Sequence, residues 1–254
     1  MKKFIYFWQE MANCWWGAVA FYTIIPLPQH WSLQFSRIAR FAPLIGILLG
    51  SILAVSDWGL SVIDVPILTR SALVIAVGIG LTGGLHLDGV IDAADGLAVL
   101  DPKKRLEIMK DSTTGAFGVI AAVVVLILKI VALSEITKAR WLSLILVLGW
   151  GRWGQVSAIA LYPYLRAEGK GDFHKEALKL PQDILLGGIT LGIITLIGFL
   201  YWQWYALIPL FFGMAVPLLV GWWFNRQLDG QTGDTYGAIV EWSEALYLCV
   251  LTTL

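Results

Sequence analysis

The sequence predicts an all-α fold: a polytopic integral membrane helix bundle of about six to seven transmembrane helices, with a re-entrant or interfacial N-terminal segment. Composition is the first reason. Of 254 residues, 58% are hydrophobic and 14% charged, with a mean hydropathy of +0.74, which is the make-up of a membrane-embedded chain and not of a soluble domain. Apolar runs long enough to cross a bilayer recur along the chain. The Lys and Arg residues between those runs also sort to one side of the topology that they imply.

The elements follow in order. The first segment, 12–27, is short and ends in Pro26-Leu27-Pro28. Helices are expected near 41–60, 67–85, 115–134, 141–162, 183–202 and 205–224, and a seventh run near 237–254 carries Glu241 and Glu244 but is otherwise apolar. If 12–27 does not cross, thirteen basic residues share one side, among them Lys103, Lys104, Arg105, Lys110, Arg166 and Arg226, and three, Arg70, Lys138 and Arg140, lie on the other. Short loops rich in Lys and Arg stay cytoplasmic, so the N-terminal segment is expected not to cross, and the loop 86–114 to face the cytoplasm. Lys2-Lys3 begin like a signal peptide, but no small-residue cleavage pattern follows before Pro26. With neither an internal repeat nor a long linker, the chain reads as a single membrane domain, 1–254. Gly46 and Gly50, Gly78 and Thr82, and Gly187-Gly188 mark close helix contacts.

Net charge is zero from 18 basic and 18 acidic residues, so no nucleic-acid footprint is present. Cys14 and Cys249 lie in apolar segments and are too few for a disulfide framework or a zinc site. Membrane lipid is the expected macroscopic partner, and a homo-oligomer is compatible with the sequence.

Chemistry concentrates in Gly83-Gly84-Leu85-His86-Leu87-Asp88-Gly89-Val90-Ile91-Asp92-Ala93-Ala94-Asp95-Gly96. On a helix Asp88, Asp92 and Asp95 fall at i, i+4 and i+7, one face over roughly two turns or about 10 Å. No Lys or Arg lies between Arg70 and Lys103 to pair with them. Oxygen-only ligands point to a hard cation, Mg²⁺ more readily than Zn²⁺; the plainer reading is a solvated helix start, where Asp favours the N-terminal dipole. His86 is a candidate general base whose neighbouring carboxylates favour its protonated form, against the commoner role of a hydrogen-bonded structural histidine.

Asp101 to Gly118 reads as a short amphipathic helix begun by Pro102, then a turn into the next helix. Lys103 and Lys104 suit lipid headgroups. Arg105, Lys110, Asp111 and Ser112 are site candidates, because backbone N–H groups at the following helix start can hold phosphate. Within the membrane, Arg152 sits between two tryptophans and two glycines and can reach an anion or a carboxylate, whereas for Lys129 snorkelling, or pairing with Glu135 or Glu241, stands at least level with a substrate role. A second polar stretch, Asn225 to Gly237, offers Gln231, Thr232, Gly233 and Asp234 as the opposing wall of one site.

In these residues the chain resembles the cobalamin synthase family, adenosylcobinamide-GDP ribazoletransferase. The matching motifs are Gly83 to Gly89, Asp92 with Asp95-Gly96, Glu107 to Ser112 with Gly115, the Arg152 motif, Glu168-Gly169, and Gly230 to Thr235, in family order over nearly the whole chain. Asp229 stands where the family commonly has Gly, so it is not carried over as a ligand. The resemblance implies transfer of adenosylcobinamide phosphate from adenosylcobinamide-GDP to a hydroxyl of α-ribazole or its 5′-phosphate, with release of GMP, in a Mg²⁺-dependent reaction. On that expectation Asp88, Asp92, Asp95 and Asp234 hold metal. Asp111 or His86 takes the proton or orients the hydroxyl. Gln231, Thr232 and Gly233 line the diphosphate site, and Arg105, Lys110, Ser112 and Arg152 meet phosphate. The competing readings are a prenyltransferase-like membrane enzyme, which would want a second Asp-rich motif, and a cation-coupled transporter, which would place its carboxylates near the bilayer midplane.

Overall fold

A computed structural model describes residues 2–111, 113–166, 175 and 177–254. Its helices are α1 (Lys2–Tyr22), α2 (Ala42–Val62), α3 (Ile67–Leu81), α4 (Leu85–Ala98), α5 (Pro102–Ile108), α6 (Ala116–Glu135), α7 (Arg140–Leu161), α8 (Gln182–Ile197), α9 (Leu207–Leu228) and α10 (Gly233–Leu251). Among the described residues there is no β-strand, only one isolated parallel bridge, Tyr164 with Gln231. Helices are what apolar runs must form in lipid, where each backbone N–H and C=O has to be satisfied within its own segment.

α7 is the axis of the bundle. It is buried over nearly all its length, from Leu142 to Ile159, and α2, α8, α9 and α10 pack around it. In lipid the hydrophobic effect does little to bring helices together, so close backbone approach matters more. Gly46 and Gly50 provide it: a Cβ on Gly46 would sit 2.2 Å from the Leu148 carbonyl oxygen, and one on Gly50 would sit 2.6 Å from the Ile145 Cα.

Four segments are long and apolar enough to cross a membrane: Ile38–Val62, Ala116–Glu135, Arg140–Leu161 and the stretch Gln182–Leu228, or five if α3 and α4 form one bent span. The apolar runs led to an expectation of six to seven, and the difference has two causes. α8 and α9 fall within one stretch although a helical turn, Phe199–Trp202, and a 3-10 turn, Gln203–Ala206, separate them. α10 carries Asp234, Glu241 and Glu244, more charge than a purely apolar span.

α1 differs from expectation in beginning ten residues earlier, because Gln9, Glu10 and Asn13 interrupt the apolar run without breaking the helix. It is not among the segments apolar enough to cross. Cys14, Ala18, Val19 and Tyr22 bury one face of its second half in the core.

Buried ion pairs join the helices at two levels. Asp57 of α2 receives Arg140 Nη2 at 2.7 Å and Arg70 Nε at 3.1 Å, closing the end where α6 finishes and α7 starts. In the interior, Lys129 Nζ of α6 lies 2.5 Å from Glu241 and 2.6 Å from Glu244 of α10, and Arg152 Nη1 of α7 lies 2.8 Å from Glu244. Two cations and two carboxylates thus tie three helices together.

Candidate active site

At the opposite end from Asp57 the chain turns sharply. Gly83 and Gly84 have φ of 61° and 73°, a left-handed conformation that glycine adopts without a Cβ clash. They form an elbow that bends α4 by 90° from α3. α4 therefore turns away from the axis of α3 and lies across the N-terminal ends of α6 and α10. Gly89 permits the contact with α10, since a Cβ there would meet the Asp234 carbonyl oxygen at 2.4 Å. This close approach brings the first acidic stretch to the second.

The four carboxylates have different surroundings. Asp88 is exposed and lines a cavity of about 640 Å³. Asp92 is half-buried; burial, then the Asp88, Asp234 and Asp95 charges, push its carboxyl up to about 6, with Arg166 opposing. Asp234, in the first turn of α10, pairs with Arg166 Nη2 at 2.5 Å. Its burial raises its pKa, against the pull of Arg166. Asp95 points to α6, where its two oxygens accept the Gly115 N–H at 2.7 Å and the Gly118 N–H at 2.8 Å. It neutralises two of the unpaired donors of that helix start. Among the described residues, no three His, Cys, Asp or Glu side chains are placed to hold a metal ion together. The donor set is nonetheless oxygen-only, and its mutual repulsion at Asp92 is of the kind a hard cation relieves.

The second wall is held by backbone. The Leu165 N–H donates to the Gln231 carbonyl at 2.9 Å, and the Gln231 N–H to the Pro163 carbonyl at 2.9 Å. Gln231 is fully buried, its Nε2 donating to the Gly221 carbonyl at 2.9 Å. Thr232 caps α10 in a reciprocal capping box with Thr235. Gly233 opens α10 with nothing among the described residues within 4 Å of an added Cβ. Gln231 and Thr232 thus build the wall that holds Asp234.

Other expected residues are placed apart. His86 is 1% exposed, stacked near Tyr22 with ring centroids 6.3 Å apart, and neither ring nitrogen has a hydrogen-bond partner among the described residues. Burial, with Arg152 and Lys129 adding to it, holds its pKa well below the ordinary value. The expectation that neighbouring carboxylates favour its protonated form is therefore corrected: two positions apart on a helix, His86 and Asp88 point to different faces. Arg152 is 2% exposed and is engaged by Glu244 and by the Leu148 carbonyl in the bundle interior. Arg105 donates to the Val99 carbonyl at 3.1 Å and the Gln227 carbonyl at 2.8 Å, fastening α5 to the last turn of α9. Lys110 and Asp111 are exposed, and the Thr113 N–H lowers the Asp111 pKa by donating to its carboxylate. Ser112 and Glu168-Gly169 lie outside the described residues.

Arg166 is the residue to which the sequence reading gave no role. It joins Asp234 to the end of α5 by donating to the Met109 carbonyl at 3.2 Å. Its signal in the sequence is its place two residues before the Glu168-Gly169 motif.

Fold and site together define a class: a helical membrane protein with a carboxylate-rich, oxygen-donor site at one end of the bundle, built where a bent helix crosses two helix N-termini. The family profile of cobalamin-5-phosphate synthase matches residues 14–252. A Trichormus variabilis protein named adenosylcobinamide-GDP ribazoletransferase is 51% identical over 244 residues, 94% of this chain and 96% of the relative. Proteins of the same name from Synechocystis sp. and Desulfitobacterium hafniense are 48% identical, over 96% of this chain and 98% of the relative, and 37% identical, over 92% and 94%. No solved structure matches. The chain belongs to the cobalamin-5-phosphate synthase family.

Proposed function

We propose that this protein is an adenosylcobinamide-GDP ribazoletransferase, working at the cytoplasmic face of a bacterial inner membrane. The near-full-length identity of 51% to a relative of that name carries the reading. The junction of Asp88, Asp92 and Asp234 is where the chemistry is best supported.

In that reaction a ribazole hydroxyl attacks the phosphorus on the cobinamide side of the diphosphate. The new O–P bond forms as the P–O bond to GMP breaks. The hydroxyl proton goes to a carboxylate, and GMP leaves as a phosphomonoester. Asp88, Asp92 and Asp234 are the carboxylates whose oxygen-donor chemistry suits Mg²⁺, and an ion held by them would supply charge neutralisation at the diphosphate. Asp95 is already engaged by two N–H groups, so we assign it to holding α6 in place. Asp88, the exposed carboxylate at the cavity, orients the hydroxyl. Arg166 and the exposed Lys110 offset phosphate charge, and Arg105 fixes the helix that carries Lys110. Positioning two large substrates supplies much of the remaining rate enhancement.

The test is GMP release by purified protein given adenosylcobinamide-GDP, α-ribazole and Mg²⁺. Release that needs both organic substrates supports the reading, and none from folded protein refutes it.

A further inference from the structure

The cavity at Asp88 lies between the C-terminal end of α1 and the α3–α4 elbow. Its volume of about 640 Å³ falls within the ~300–1,000 Å³ of small-molecule sites, which suits a nucleoside. Phe21, Ile24, Leu87 and Ile91 give it apolar walls, and Thr23 and Thr82, whose hydroxyls bond backbone of their own segments, complete the lining with the elbow glycines. No Lys or Arg is among the described residues that line it, whereas the site's cation, Arg166, stands on the Asp234 side. The two flanks of the acidic cluster therefore differ in kind. One is uncharged and largely apolar up to a single carboxylate; the other carries the guanidinium.

A diphosphate-bearing substrate has no counter-charge in the first flank. A flat apolar base on a neutral ribose has what it needs there. A second cavity, of about 530 Å³ between α4, α6, α9 and α10, is lined by apolar side chains such as Val90, Leu97 and Trp223 and has no carboxylate among the described residues of its wall, so a hydroxyl in it would not meet the acidic face. Resting on the transferase reading above, we propose that the α1–elbow cavity is the α-ribazole subsite. The base packs against Phe21, Ile24, Leu87 and Ile91, and the ribose hydroxyl is presented at Asp88. The guanosine diphosphate end of the other substrate enters from the Arg166 side.

The subsite is tested by filling it in the full-length protein in detergent with Leu87→Trp and, separately, Ile24→Trp. Ile24 is 63% exposed, so the second variant keeps the test valid if Leu87→Trp does not fold. Each variant should raise KM and Kd for α-ribazole by about tenfold or more, with KM for adenosylcobinamide-GDP within about twofold. An equal loss for both substrates, a loss confined to adenosylcobinamide-GDP, or no loss in a folded variant overturns the subsite. Calorimetric binding of α-ribazole alone separates this from the wider reading. Wild-type binding that the tryptophans abolish supports the subsite even if no GMP is ever released, and absence of GMP release by wild type counts against the transferase reading alone.

Discussion

Asp95 and Asp88 share a helix face, yet their surroundings assign them different work, and two substitutions separate them. Asp95 accepts two backbone N–H groups at the start of α6, at 2.7 and 2.8 Å. A hydrogen bond to a charged group contributes roughly 1.5–3 kcal/mol, and replacing an N-terminal capping side chain with Ala costs about 0.5–2 kcal/mol. Because Asp95 is only partly buried, the loss for Asp95→Ala is set at about 2 kcal/mol, toward the lower part of the summed range. In a chain of this length that lowers Tm by roughly 4–8 °C. Asp88 is exposed, so Asp88→Asn should move Tm by less than about 2 °C while abolishing GMP release. The assay is tryptophan-fluorescence melting of both variants in the same detergent, run beside the GMP assay. Asp95→Asn, which keeps one acceptor oxygen, should fall between wild type and Asp95→Ala in stability. If Asp95→Ala melts with wild type and still loses all activity, its carboxylate acts in the chemistry and the positioning role is refuted.

Three further outcomes follow from the same contacts. Asp92 is raised to about 6, so its ionisation disfavours the folded state. Its contribution to stability falls as pH rises from the ordinary carboxylate value to about 6 and is level above that. Mg²⁺ should therefore raise Tm more at pH 7 than at pH 5, and an equal shift at both would remove Asp92 from the cation site. Gly89→Ala puts a Cβ 2.4 Å from the Asp234 carbonyl oxygen; overpacking should cost about 1–3 kcal/mol and reduce GMP release at least tenfold by prising α4 from α10, and full activity would show that the close approach is dispensable. Lys129→Met leaves Glu241 and Glu244 without their shared lysine and should cost about 3–5 kcal/mol, read as loss of folded protein after detergent extraction, with Lys129→Met/Glu241→Gln recovering part of it.

The bundle was legible because apolar runs, Pro and Gly mark helices directly: α2, α6, α7 and α10 begin or end within a few residues of their expected limits. The boundary at α9 shifted because the helix continues past the apolar run through Asn225-Arg226-Gln227 to Asp229, which closes it in a left-handed conformation with φ of 60°. That geometry also explains an acidic residue where glycine is common, since Asp tolerates the left-handed region better than most side chains. At the site, the i, i+4, i+7 spacing placed Asp88, Asp92 and Asp95 along α4, but it did not foresee that Asp95 is taken up by the Gly115 and Gly118 N–H groups. Three features were not legible. The 90° elbow rests on two glycine dihedrals, Asp95 is distinguished only by which N–H groups it meets, and the Arg166 position depends on backbone pairing between Pro163–Leu165 and Gln231.

Arg152 shows why an ionisable residue deep in such a bundle need not touch substrate. Expected to meet phosphate, it lies instead with Lys129, Glu241 and Glu244 in an arrangement of zero net charge. Each member is costly to bury alone, but together they recover the cost only when α6, α7 and α10 are in one register. A slip by one turn, about 5.4 Å, would leave charges unpaired in the interior, whereas apolar side chains alone would repack. Two of those helices, α6 and α10, present to α4 the N-termini that receive Asp95 and carry Asp234, and α7 leads into the strand-like pairing that places Arg166. The interior ion pairs therefore set the heights at which the site's carboxylates and guanidinium meet. This separates two kinds of loss at the same end of the molecule: interior substitutions should lower activity together with stability, and Asp88 should lower activity alone.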